Sequence, residues 1–135
     1  MAEAFQLVVD TSALIGVLKA EPEAASLLDR LSPAGAKAIS TATLLEAQMV
    51  ACSQLGDHGS AELDLLLHQA GIVAVQFDAL QLHWALKGWR RFGKGRQPAG
   101  LNLGDCFAYG LAMTLELPLL FKGEDFSSTD VKVAR

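Results

Sequence analysis

Four carboxylates stand in sequence that offers them little water. Asp10 ends the apolar run Gln6-Leu7-Val8-Val9 and precedes Ala13-Leu14-Ile15. Glu46 has Ala42, Thr43, Met49 and Val50 as its helical neighbours, and its segment, residues 41–55, contains no Lys or Arg to pair with it. Asp105 opens a nearly all-apolar stretch with Ala108, Tyr109 and Ala112 on its side, and Asp125 follows Leu119-Leu120-Phe121. Each has a plain reading on its own. Asp10 is placed to cap a helix, Asp105 suits a first helical turn and its dipole, and Asp125 lies in an acidic loop. Brought together, however, they would repel one another and raise each other's pKa unless a divalent cation neutralised them. Oxygen donors without His or Cys suit Mg²⁺ or Mn²⁺ better than Zn²⁺. A few carboxylates with water is also the usual equipment for metal-assisted phosphodiester hydrolysis.

The elements that must position them follow from periodicity. Residues 6–9 predict a buried strand, and residues 11–18 a short helix with Thr11 or Ser12 near its cap. Pro22 at a first-turn position predicts a second helix to about Leu31. Residues 36–40 form a weak strand. Residues 41–55 are helical by period, with Ala42, Leu45, Met49 and Val50 on the expected core face. A helix over 60–69, a strand over 72–75 and a helix over 79–92 capped by Asp78 come next. The glycines and Pro98 of residues 93–100 mark a loop before a buried helix over 105–115. A strand over 119–121 and an edge strand over 131–133 complete the chain. Strands separated by helices imply a single α/β domain over residues 1–135, with a central parallel sheet of four to five strands and helices on both faces. Ligands sit outside the carboxyl ends of such strands, which is where Asp10 and the loop holding Asp125 fall.

Composition narrows the function. With 135 residues, 51% of them hydrophobic, one core needs no disulfide framework, and two cysteines outside any C-x-x-C give no zinc or thioredoxin motif. No secretory signal or membrane-length apolar run is visible, so a cytoplasmic protein away from membranes is expected. The net charge of −4 argues against a nucleic-acid partner only if charge is evenly spread. It is not: residues 79–104 hold no acid but carry Lys87, Arg90, Arg91, Lys94 and Arg96, interleaved with Trp89 and Phe92. Cations with aromatics suit single-stranded RNA, although cations also suit a helix C-terminus. His58, His68 and His83 share no ligand spacing and are expected at the surface.

Four segments in order carry a resemblance: Val8-Val9-Asp10-Thr11-Ser12-Ala13-Leu14, the isolated Glu46, Leu101-Asn102-Leu103-Gly104-Asp105-Cys106-Phe107, and Phe121-Lys122-Gly123-Glu124-Asp125-Phe126. The chain resembles the PIN-domain proteins, specifically the VapC-type toxins of prokaryotic toxin–antitoxin pairs, over about residues 7–133. The resemblance implies a Mg²⁺- or Mn²⁺-dependent endoribonuclease whose acidic site maps onto Asp10, Glu46, Asp105 and Asp125. Asp10 and Asp105 would be the principal metal ligands. Glu46 and Asp125 would complete the site, Asp125 being chosen over Glu124 because it directly precedes Phe126. Ser12 and Asn102 would add hydrogen bonds. RNA substrate, a cognate antitoxin and a homodimeric state are likewise implied. Two rivals remain at this point. A phosphotransferase of the haloacid-dehalogenase type expects a second aspartate where Ser12 stands, and a non-catalytic RNA- or antitoxin-binding module would keep the fold without the cleavage.

Overall fold

The computed structural model describes residues 4–95 and 99–134. Its centre is a parallel sheet of four strands, β1 (Val8–Val9), β2 (Lys37–Ser40), β3 (Ile72–Val75) and β4 (Leu119–Leu120), in the order β3-β2-β1-β4. Val8 pairs with Ala38 on one side and Leu119 on the other. The order reverses between β1 and β4, the kind of switch point at which parallel sheets take ligands. The edge strand expected over residues 131–133 is reduced to a single bridge between Leu119 and Val133.

Alternation along the strands feeds two cores. Val9, Ile39 and Leu120 face Leu14 of α1 (Thr11–Leu18), Leu27 of α2 (Ala24–Leu31), Ala47 of α3 (Thr41–Leu55) and Leu63 of α4 (Asp57–Ala70). Val8, Ala38 and Leu119 face α5 (Ala79–Phe92) and α6 (Leu103–Leu115), where Ala85, Ala108 and Tyr109 are buried. Helices therefore cover both faces. The last two approach closely because glycine lines the seam. A β-carbon on Gly88 would lie 2.4 Å from the Tyr109 ring, and one on Gly110 would lie 2.7 Å from the Gln81 carbonyl oxygen. The C-terminus of α5 thereby returns to the start of α6. There the Leu101 N–H donates to the Phe92 carbonyl at 2.7 Å and the Lys94 N–H to that of Leu101 at 3.0 Å.

Several expected boundaries move for local reasons. Asp10, not Thr11 or Ser12, caps α1, and α2 starts two residues after Pro22 with Glu23 at its N-cap. Helix α4 begins at Asp57, directly after a positive-φ Gly56, and α6 begins at Leu103 behind an Asn102 cap. The larger correction is the face of α3. Thr43, Ala47 and Ala51 are buried, whereas Leu45 and Met49 are each 63% exposed. Side-chain size decided this. Ala51 lets α4 pack against the α3 backbone, where a β-carbon on Gly59 would lie 2.4 Å from the Ala51 carbonyl oxygen. Leucine and methionine in that seam would hold the two helices apart.

Candidate active site

Asp10 leaves β1 with its N–H donating to the Leu120 carbonyl at 3.0 Å, so its backbone is fixed by the strand next door. Its side chain is only 4% exposed. Oδ2 accepts from the Ser12 N–H at 3.0 Å and from the Ser12 hydroxyl at 2.6 Å. The Ser12 oxygen in turn accepts from the Lys122 N–H at 2.9 Å, which ties the loop after β4 to the same point. The capping role and the place at the sheet end belong to one carboxylate.

Asp105 arrives from the other face of the sheet. Its N–H donates to the Asn102 side chain at 2.9 Å, and its Oδ2 accepts the Asn102 N–H at 3.1 Å, a reciprocal capping box. It is 8% exposed. Glu46 is half-buried rather than buried, and it is not left alone: the Thr11 hydroxyl donates to Oε1 at 2.6 Å. Its Oε2 lies against Gly104, where a β-carbon would sit 2.1 Å away. Asp125 is exposed on the loop after β4, close enough to Asp105 for its carboxyl to raise the pKa of that group. Glu124 points elsewhere, lining a polar depression with Arg30 and Lys122.

The electrostatics link the four acids. Burial pushes Asp10 up to about 6, against the lowering effect of the Ser12 bonds, and the charge of Glu46 adds to the rise. Burial also pushes Asp105 up to about 7, with further upward contributions from Asp10 and Asp125. Among the described residues neither Asp10 nor Asp105 has a Lys, Arg or His ion-pair partner. Among the described residues no three acidic, His or Cys side chains are grouped so that they could hold a metal ion together. What the structure brings together is a pair of buried carboxylates, with Glu46 acting on Asp10 and Asp125 on Asp105 through their charges. That suits Mg²⁺, which commonly keeps several waters and takes one or two carboxylates. The neighbouring Cys106 thiol is pushed up to about 11 by burial and by Asp105, which removes it as a nucleophile at neutral pH.

The basic segment is less uniform than its charge count. Arg91 is engaged by Asp130 at 3.2 Å, and Asp130 also accepts the Tyr109 hydroxyl at 2.7 Å. Lys87 lies 5.0 Å above the Trp84 ring. Arg90 and Lys94 are exposed, and the backbone bond from Lys94 to Leu101 fixes it four residues ahead of Asp105. Arg96 lies outside the described residues, as does Pro98. His58, His68 and His83 are all exposed. Two contributors to the site carry no local signal in the sequence, the Thr11 hydroxyl and the bare Gly104. The partner of both is Glu46, far away along the chain, and no local spacing reveals such a contact.

A family model described as PIN domain matches residues 7–132. The chain is 48% identical over 125 residues to a Ribonuclease VapC of Mycolicibacterium smegmatis, covering 93% of this chain and 97% of that protein. It is 46% identical to Ribonuclease VapC30 of Mycobacterium tuberculosis, covering 93% and 95%. Among solved structures it is similar to VapC20 of Mycobacterium tuberculosis, titled a Sarcin-Ricin loop cleaving toxin, with a TM-score of 0.75, 13% identity and coverage of 96% and 99%. It is also similar to a chain of a toxin-antitoxin complex from Klebsiella pneumoniae, with a TM-score of 0.69, 17% identity and coverage of 93% of each chain.

Proposed function

The chain belongs to the PIN-domain family, and from that premise we propose that it is an endoribonuclease, the toxin of a toxin–antitoxin pair, which hydrolyses RNA phosphodiester bonds with Mg²⁺ or Mn²⁺. One observation carries the reading most. Two buried carboxylates, Asp10 and Asp105, lie near enough for the charge of the first to raise the pKa of the second, with no ion-pair partner for either among the described residues. Such a pair is costly in an empty protein and useful once a cation is held.

Asp10 and Asp105 would hold the ion. When bound, it lowers the pKa of water and offsets the charge that builds on the phosphate and the leaving oxygen. This chain's own residues do the rest. Ser12 and Asn102 fix the two ligand carboxylates through the bonds described above. Asp125, near enough to Asp105 to raise its pKa, would accept or return a proton at its exposed carboxyl. Glu46 adds negative charge beside Asp10, which strengthens the attraction for a cation. Arg90 and Lys94, with Lys87, supply the phosphate contacts along the bound strand, while Arg91 is already occupied by Asp130.

The antitoxin partner rests on the relatives and on the surface around the acids. Leu45 and Leu103 flank Glu46 and Gly104 in the chain and are 63% and 73% exposed, which suits coverage by another protein. The ribonuclease reading is tested by incubating purified protein with total RNA in Mg²⁺, Mn²⁺ or EDTA and mapping new ends. Metal-dependent cleavage lost in Asp10→Asn is expected. RNA binding that persists in EDTA, with no cleavage at any protein concentration, would leave a binding module instead. Toxicity on expression that co-expression of a neighbouring small gene fails to relieve would remove the antitoxin.

A further inference from the structure

Gly104 has no backbone reason to be glycine. It lies within α6, its φ is not in the left-handed region, and glycine inside a helix costs about 0.5–1 kcal/mol relative to alanine. The space beside it supplies the reason. Where a β-carbon would stand, the nearest atoms are the carboxylate of Glu46, with Oε2 at 2.1 Å, the carboxyl carbon at 2.7 Å and Oε1 at 2.9 Å. These atoms are the far end of a flexible side chain, so a β-carbon at 104 would be relieved by displacing the Glu46 carboxylate and not by moving the backbone. On its other side the same carboxylate accepts the 2.6 Å bond from the Thr11 hydroxyl, itself on a residue only 9% exposed. Thr11 immediately follows Asp10 and Gly104 immediately precedes Asp105. Glu46 is therefore gripped by the two residues adjoining the two buried carboxylates of the site.

We infer that Thr11 and Gly104 are positioning residues that seat Glu46 in the metal site, Thr11 by its hydroxyl and Gly104 by its missing side chain. The inference rests on the proposed ribonuclease reading and deepens it. Glu46 is half-exposed on α3 and carries no Lys or Arg partner among the described residues, so without this seat several rotamers pointing into solvent would be open to it. The seat restricts it to the one that faces Asp10. Helices α1, α3 and α6 each supply one of its members, so the three acids from separate elements share a common reference.

The test uses the full chain and five changes, singly and combined: Thr11→Val, Thr11→Ser, Gly104→Ala, Glu46→Gln and Glu46→Ala. RNA cleavage is followed in Mg²⁺, and urea unfolding is followed in EDTA. Thr11→Val and Gly104→Ala should each lower the cleavage rate by about 10²-fold, the usual effect of a misplacement near 1 Å. Thr11→Ser, which keeps the hydroxyl, should restore most of the rate. Neither loss should multiply with that of Glu46→Gln. In EDTA, Thr11→Val should lower the urea midpoint in the parent but not in a Glu46→Ala background. Parent-like cleavage by both Thr11→Val and Gly104→Ala, or losses that multiply with Glu46→Gln, would overturn the seat. If Gly104→Ala does not fold, the Thr11 pair decides alone. If the parent does not cleave RNA, the ribonuclease reading fails, and the urea comparison still decides the seat: equal midpoint shifts in both backgrounds refute it.

Discussion

Both ends of the sheet bury charge, and they treat it oppositely. At the amino end, Lys37 begins β2 with its side chain 1% exposed, and its ammonium donates to the carbonyls of Pro33 and Ala70, the latter at 2.9 Å. Ala70 closes α4, so the cation also meets the negative end of a helix. At the carboxyl end, Asp10 and Asp105 are nearly as buried, yet their neighbours among the charged groups are other carboxylates. The first charge is satisfied by the chain itself. The second set has no cation beside it among the described residues, and on the reading proposed above a bound metal would complete it. A buried charge with its partners built in is architecture, and a buried charge opposed by its own kind marks a ligand site.

The sharpest way to break that comparison is to neutralise one member at each end. Asp105→Asn should cut cleavage by about 10³-fold or more, since several kcal/mol of charge stabilisation would go and each 1.4 kcal/mol is about tenfold. In EDTA at pH 8 the same variant should be more stable than the parent, on the order of 1–3 kcal/mol, because a group pushed up to about 7 opposes folding when ionised. Rates come from mapped RNA ends and stability from urea melts. A variant that loses both activity and stability would make Asp105 architectural after all.

Lys37→Met should do the reverse. Two carbonyls lose their donor in a buried place, which costs on the order of 2–4 kcal/mol in a urea melt, while the cleavage rate stays within about twofold. Loss of cleavage in a folded Lys37→Met protein would couple the two ends and end the contrast.

How much of this was legible beforehand depends on distance along the chain. Asp10, Glu46 and Asp105 stand out as acids in apolar surroundings, which is a local property, whereas Asp125 lies in an acidic loop and is picked out only by the family resemblance. The strand and helix order was legible for the same reason, and α3, β3 and α5 start and stop at the residues their periodicity and caps predict. The wrong face of α3 shows the limit. Its polar and apolar residues do not separate cleanly, and small side chains, not large ones, went inward to admit α4. Lys37 was passed over because a lysine opening a strand looks solvated until its carbonyl partners are known. Thr11 and Gly104 were invisible for the same cause: what they touch lies on another helix.

The two ends should also titrate in opposite senses. In EDTA, Asp10 and Asp105 bind protons more tightly folded than unfolded, since they are raised from 3.8 to about 6 and about 7. Between about pH 4 and 7 the native state therefore holds more protons, and stability should fall as pH rises through that window. Lys37 is lowered by burial, so in the alkaline range below 10.5 the unfolded chain holds more protons and stability gains as pH rises. Urea midpoints across pH 4 to 10 should accordingly decline first. Saturating Mn²⁺ should flatten or invert the acidic limb alone, because the proposed cation site lies at that end. An acidic limb unchanged by metal would detach the carboxylates from the cation.

The smallest effect belongs to a charge pair that lies at neither end. Arg91 and Asp130 meet at 3.2 Å with side chains 55% and 38% exposed, so water screens what the sheet ends cannot. Arg91→Gln should cost no more than about 0–1 kcal/mol in the same melt, less again in high salt. Asp130→Asn is the finer probe, because Asp130 also accepts the Tyr109 hydroxyl against the α5–α6 seam. If Asp130→Asn costs clearly more than Arg91→Gln, the carboxylate acts through the buried tyrosine and not through the surface cation. That would place Asp130 with Lys37 as a charge whose value lies in the neutral partners the chain provides.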